Sequence, residues 1–365
     1  MKIERKTVFR ILLALIYCPV AAEVMVRLLD PVPMLPRYVR ATESGIRGNQ
    51  PDKTYWHRAA EYKVQMRTNS KGIRADYEIP YEKPRGTRRV LVLGDSFGMG
   101  YEVDLEDMFT TRMVHHLKEK HGFENVEVVN LSTSGHGNAE ELIVLQNEGL
   151  KYDPDLVLLV WHSTDLADNV RSYLYEWKDG KLVRRNETYL PGVEINRKLH
   201  SIPLYPLIAD NSQLYNLMRD WMGYSVKQWL VSIRTLSARE PQPEEEPKID
   251  EVPYPEQLSV ALLEEIRRVS LKNGARFLML TVPKSVSRTE FISRFPEAAA
   301  AGTALSAVSP IERFRQAGGK KVYWEKGHGH WTPLGSDMVG EVLADQIAAR
   351  RLLSGVEAPI EAGGF

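Results

Sequence analysis

The sequence predicts an α/β domain, a three-layer α/β/α sandwich built on a parallel sheet. Two observations predict it. Short, largely apolar and β-branched runs recur at Arg89–Leu93 (RVLVL), Val126–Asn130 (VEVVN), Asp155–Trp161 (DLVLLVW) and Phe277–Val282, continuous rather than alternating, as in strands buried on both faces. Helix-length segments separate them at Asp107–Lys120, Ala139–Gly149 and Gln257–Asn273, and strand–helix alternation is how parallel sheets are built.

The elements follow in chain order. Lys2, Arg5, Lys6 and Arg10 precede an apolar run from Ile11 to Ala22, the pattern of a secretory signal cut before Glu23. Apolar character resumes after Glu23, so Ile11–Leu29 also approaches the ~20 residues of a membrane span. A removed signal and a retained anchor through residues 11–29 both place the remainder outside the cytoplasm, in the periplasm or cell envelope. A buried N-terminal helix of a cytoplasmic protein is the third reading of residues 1–30. Residues 31–86 form a polar, turn-rich lead-in, and residues 87–353 the main domain. Within it, 171–255 reads as an insertion, with a helix near Leu214–Leu236 and an exposed Pro/Glu-rich loop at Arg239–Pro255. Tyr173, Tyr175, Trp177, Trp221 and Trp229 are expected to pack as its core or to line a site. The rhythm resumes with a helix at Pro310–Gln316, a strand at Lys321–Tyr323 and a helix at Leu334–Leu352. The last dozen residues read as a frayed end.

Composition narrows the function. The 365 residues carry 48 Lys plus Arg against 48 Asp plus Glu, a formal charge of zero, so the basic surplus of a nucleic-acid binder is absent. A hydrophobic fraction of 43% with 26% charged residues is that of a foldable globular chain. The one cysteine, Cys18, excludes a disulfide framework and a cysteine-built metal site. Tyr17 is too large to precede a lipidated cysteine.

Ligands of an open parallel sheet bind beyond the carboxyl ends of its strands, so the residues after each strand carry the chemistry. They are Gly94-Asp95-Ser96-Phe97-Gly98, then Asn130 with Ser134-Gly135-His136, then His162-Ser163-Thr164-Asp165 with Asp168-Asn169, then Glu325, His328 and His330. Four of the nine histidines are expected at one mouth. Ser96 also fits G-x-S-x-G, but the α/β-hydrolase elbow with that pattern follows several strands, and only one precedes Ser96; a plain tight turn is the alternative.

These residues resemble the SGNH, or GDSL, hydrolases, and in particular their exported or membrane-anchored bacterial members. Gly94-Asp95-Ser96-Phe97 resembles the first block, Asn130-Leu131 through Gly135 the second, Tyr152–Val157 leading into Thr164-Asp165 and Asp168-Asn169 the third, and His330-Trp331-Thr332-Pro333-Leu334-Gly335 the last. Asn69-Ser70-Lys71-Gly72-Ile73-Arg74 resembles a lead-in of such members. The resemblance implies a flavodoxin-like sheet, Ser96 as nucleophile, His330 as its base, and an oxyanion hole made by the Ser96 and Gly135 backbone N–H groups. It implies no cofactor and no metal, and an acyl ester or acylated glycan as substrate. Asp95 is expected to brace the turn.

Two positions depart from the family pattern. Thr164 stands where the third block carries its oxyanion asparagine, with Asn169 and Ser163 as substitute donors. No acid occupies the usual position two or three residues before His330, which leaves a second register of Glu325 with His328. Esterase, polysaccharide O-acetyltransferase, degenerate binding or scaffold domain, and metallohydrolase built on His136, His162, His328 and His330 all remain open at this level.

Overall fold

The computed structural model describes residues 5–29, 31–238 and 252–354; most of the Pro/Glu-rich loop and the C-terminal end lie outside the described residues. Helix α1 (Arg5–Leu29) opens the chain. The lead-in forms two antiparallel hairpins, β1–β2 (Val39–Ala41, Arg47–Asn49) and β3–β4 (Thr54–Arg58, Lys63–Arg67). The main sheet then takes β5 (Arg88–Gly94), α2 (Phe109–His121), β6 (Val126–Asn130), α3 (Asn138–Asn147), β7 (Leu156–Trp161) and α4 (Asp165–Ser172). The insertion contributes hairpin β8–β9 (Tyr175–Lys178, Lys181–Arg184) and helices α5 (Val193–His200), α6 (Tyr205–Asn211) and α7 (Gln213–Ala238). Helix α8 (Tyr254–Lys272) and β10 (Arg276–Thr281) return to the sheet. The small hairpin β11–β12 (Lys284–Ser285, Phe291–Ile292), α9 (Glu297–Ala300), β13 (Ala307–Val308), α10 (Ile311–Arg315) and α11 (Pro333–Ala349) complete the order.

All pairings in the five-stranded sheet are parallel, in the order β6-β5-β7-β10-β13. This is the flavodoxin-like order, and its direction reverses between β5 and β7, the switch point where such sheets bind ligands. The strand pleat divides the core. Leu91, Leu93, Val157 and Leu159 face α3 and α8, while Val90, Val92, Leu158 and Val160 face α2 and α11. Each strand is apolar on both sides because both sides are covered.

The fifth strand differs from expectation. It is Ala307–Val308, paired with Met279–Leu280, a two-residue edge too short to read in sequence. Tyr323 instead bridges Trp331 antiparallel, with Trp324 N donating to His330 O at 3.0 Å and Thr332 N to Val322 O at 3.0 Å. The segment folds back on itself and so presents residues 325–330 as a closed loop.

A buried polar network fastens the helices beneath β7. Asn138 Nδ2 donates to Glu141 Oε2 at 3.0 Å and Asp165 Oδ2 at 3.1 Å, and its Oδ1 accepts from Asn169 Nδ2 at 3.1 Å and Ser259 Oγ at 2.8 Å. Burial, then the neighbouring Asp95, Glu140 and Asp168 charges, push the Glu141 carboxyl up to about 8 against the single donor Asn138. Burial and Glu141 likewise push Asp165 well up.

A carboxyl that stays protonated in the folded chain to about pH 8, but ionises near 4.5 once unfolded, removes stability progressively as pH rises through that window. Glu141→Gln keeps the Asn138 contact without that cost. Its melting temperature is expected to match the parent at pH 4.5 and to exceed it by several degrees at pH 8 in thermal melts; a constant difference contradicts the assignment.

Candidate active site

The sharp turn after β5 is built by close approach. Met99 N donates to Asp95 O, Gly100 N to Phe97 O and Tyr101 N to Ser96 O, each at 3.0 Å. Asn130, at the end of β6, donates from Nδ2 to Gly98 O at 2.8 Å. A Cβ on Gly98 would stand 2.5 Å from Ser132 Oγ and 3.0 Å from Gly94 Cα, so only glycine lets the two strand ends meet. Asp95 braces the turn, its Oδ1 accepting from Phe97 N at 2.8 Å. Burial would raise the Asp95 carboxyl, but the His162 imidazole 3.3 Å away and the Phe97 N–H hold it low.

Ser96, half-buried, meets His330 at the start of the turn into α11. Ser96 Oγ lies 2.8 Å from His330 Nε2. Phe97 packs on His330 with ring centroids 4.6 Å apart, and Tyr101 at 5.5 Å, so the imidazole is held between two aromatic rings.

The acid facing the other ring nitrogen is Glu102. Its Oε1 is 3.1 Å from His330 Nδ1, with the two side chains 0% and 7% exposed, a charge contact off the straight line of a full hydrogen bond. The same oxygen accepts the His328 N–H at 2.7 Å. Burial would raise this carboxyl; the His330 contact and the His328 N–H outweigh it and hold it low.

Glu102 carries a left-handed backbone, φ 68°, uncommon outside glycine and worth roughly 1–3 kcal/mol of strain. Neighbours hold it there. Trp324 Nε1 donates to Glu102 O at 3.0 Å. The buried Arg74 guanidinium donates to the carbonyls of Met99, Gly100 and Val103. Arg74 closes the Asn69–Arg74 lead-in, whose turn is tied by Asn69 Oδ1 accepting from Lys71 N and Ile73 N at 3.0 Å each. The lead-in therefore clamps the loop that carries the acid. Sequence spacing did not mark Glu102, since its only local signal is an acidic residue shortly beyond the Ser96 turn.

The second register does not form. Glu325 is exposed and bound by Arg288 at 2.5 Å and Lys321 at 3.0 Å, while His328 Nε2 faces Asp220 Oδ2 at 3.6 Å; each is satisfied away from Ser96. Three of the four histidines stand together: His162 and His330 pack on Phe97 with ring centroids 4.8 Å and 4.6 Å away, and His328 stacks on His330 at 6.4 Å. His136 is buried with Nε2 on Arg47 O at 2.6 Å, and burial, then the nearby Arg47 charge, push it down to about 3. Among the described residues, no group of three or more His, Cys, Asp or Glu is arranged to hold a metal ion.

Of the oxyanion candidates, Gly135 takes φ 77°, and a Cβ there would stand 2.5 Å from Arg47 Nη2. Among the described residues, neither Ser96 N nor Gly135 N donates to a protein acceptor. Thr164 is exposed, its hydroxyl 2.9 Å from His162 Nδ1. Asp165 and Asn169 are buried below: Asp165 Oδ2 accepts from His162 N at 3.1 Å, and Asn169 Oδ1 from Ala139 N at 3.0 Å. Asn169 thus starts α3 rather than replacing the family's asparagine. A cleft of about 750 Å³ between lead-in and core is lined by Arg47, Lys71, Asn130 and His136, but not by Ser96 or His330.

No family model matches the chain, and no curated protein matches it in sequence. Among solved structures, TesA matches at 15% identity over 73% of this chain and 100% of that one, TM-score 0.37. A lipase/acylhydrolase from Enterococcus faecalis matches at 13% identity over 72% and 97%, TM-score 0.37. A lipolytic protein of the G-D-S-L family from Desulfitobacterium hafniense matches at 10% identity over 71% and 99%, TM-score 0.32.

Gly98→Ala is expected to lower stability by about 1–3 kcal/mol, the range of overpacking, in denaturant melts. An unchanged midpoint contradicts the close approach at the strand ends.

Proposed function

We propose that the chain is a serine hydrolase of SGNH type acting on carboxylic esters. One observation carries the reading: Ser96 Oγ, His330 and the buried Glu102 stand in contact order, 2.8 Å and 3.1 Å apart, at the switch point of a parallel sheet. In this reading His330 Nε2 takes the Ser96 proton as Oγ attacks the ester carbonyl. The Ser96 and Gly135 N–H groups receive the developing oxyanion. His330 then returns the proton to the leaving alkoxide, and water repeats the sequence to free the acid. Glu102 fixes the imidazole with Nδ1 protonated and Nε2 facing serine, and balances the imidazolium that forms. Asp95 and the buried Asp165 and Asn169 position the two loops, and Thr164 borders the mouth.

Helix α1 is long and apolar enough to cross a membrane. We read it as a retained anchor, with the hydrolase outside the cytoplasm. Its support is that α1 runs as one helix from Arg5 to Leu29, straight through the predicted cut. Glu23, just past the predicted cut, accepts Gln213 N at 3.0 Å, Leu214 N at 2.9 Å and Ser212 Oγ at 2.8 Å, while Arg27 donates to Asn211 O at 2.6 Å; the helix is tied into the insertion.

Ser96→Ala is expected to abolish hydrolysis of p-nitrophenyl acetate, and Glu102→Gln to lower kcat by ~10²–10⁴-fold with little change in KM. Full activity of Ser96→Ala overturns the reading.

Arg74→Met is expected to lower kcat about 10- to 100-fold, the cost of a misplaced group. Because it acts through Glu102, it is expected to cost nothing further in kcat on a Glu102→Gln background. Additive losses contradict a positioning role.

A further inference from the structure

The apolar surface of this chain is concentrated. Of thirty exposed large hydrophobic side chains among the described residues, eleven lie on α1 and twelve between Ile195 and Trp229. The second group comprises residues of α5, α6, their connection and α7. On α7 the exposed large apolar residues Leu217, Met218, Trp221, Met222, Tyr224, Val226 and Trp229 spread over somewhat more than half of the helix circumference. Trp221 is 70% and Trp229 62% exposed, so neither packs as the core of a cap, one of the two expectations from the sequence. Patches of this kind mark an interaction surface.

We propose that the α6–α7 face lies in the outer surface of the same bilayer that α1 crosses. The inference rests on the reading of α1 as a retained anchor, and the geometry that carries it is the contact between the two. Glu23 sits six residues before the end of α1 at Leu29, about 9 Å along a helix rising 1.5 Å per residue. In a span ending near Leu29, Glu23 is therefore below the membrane surface. Its carboxylate is satisfied there by the first N–H groups of α7 and by Arg27 at 2.7 Å. The start of α7 is fixed at that depth. The exposed Leu207, Ile208, Leu217, Met218 and Trp221 then meet acyl chains and headgroups instead of water. Tryptophan and tyrosine are the residues that settle at this boundary, and an amphipathic helix lying in the interface plane buries its apolar flank there.

The docked face adjoins the site. Asp220 on α7 faces His328 at 3.6 Å, and His328 N donates to the Glu102 carboxylate at 2.7 Å. The mouth at Ser96 consequently opens beside the bilayer surface.

Full-length protein in vesicles of phosphatidylethanolamine and phosphatidylglycerol tests this, with acyl chains brominated near the headgroup as a tryptophan quencher. The sequence has seven tryptophans, and the Trp221→Phe/Trp229→Phe variant removes two. Brominated lipid is expected to dim the parent, and that loss is expected to disappear in the variant. Equal quenching of parent and variant in protein that resists an alkaline wash and has its N-terminus intact by mass overturns the docking alone. Release by the wash, or a mass showing cleavage, overturns the anchor and the docking with it. A chain dimer formed by a photocrosslinker at position 221 in place of lipid adducts assigns the face to a second copy and also overturns the proposal.

Discussion

The carboxylate of Glu102 is the charge around which the site is organised. It is fully buried and faces His330 Nδ1 and the His328 N–H with the same oxygen. An ionised carboxylate removed from water needs such partners to stay charged, and here the partners are His330 and the loop that carries it. The contact therefore links the loop after β5, which bears both Ser96 and Glu102, to the loop before α11, which bears His330. If the carboxylate is lost, the imidazole loses its orientation and the 325–330 loop loses an anchor in one step.

Holding that carboxylate in place engages much of the remaining chain. The left-handed turn at Glu102 is unfavourable by itself, and it persists because Arg74 and Trp324 occupy the carbonyls around it. Arg74 comes from the lead-in and Trp324 from the far end of the main domain. The lead-in is thus part of the site's construction, although it contributes no strand to the main sheet. Helix α7 reaches the same loop through Asp220 and His328, so the insertion, α1 and the Ser96 turn share one continuous set of contacts.

The main strands were legible because burial on both faces demands continuous apolar runs, and RVLVL or DLVLLVW have few other uses. Ser96 and His330 were singled out because they sit at strand and helix ends within recognisable blocks, and their side chains meet at 2.8 Å. The edge strand Ala307–Val308 was not, since two residues carry no period. Glu102 was not, because its meeting with His330 depends on a left-handed backbone and on Arg74 from the lead-in turn, neither of which leaves a local spacing. Glu325 was the acid of the second register, three residues before His328, but Arg288 and Lys321 hold it in solvent. The aromatic residues of α7 were visible in sequence, while their exposure follows only from how α7 meets α1.

The central claim is that burial of Glu102 against His330 activates Ser96. The most direct measurement is fluorophosphonate labelling of full-length protein, read by intact mass and peptide mapping, in the parent and in Glu102→Gln. The account requires a single adduct on Ser96 that forms rapidly in the parent, is abolished by boiling, and forms much more slowly in the folded variant. No adduct on folded parent protein, or equal labelling rates in the two, would contradict it.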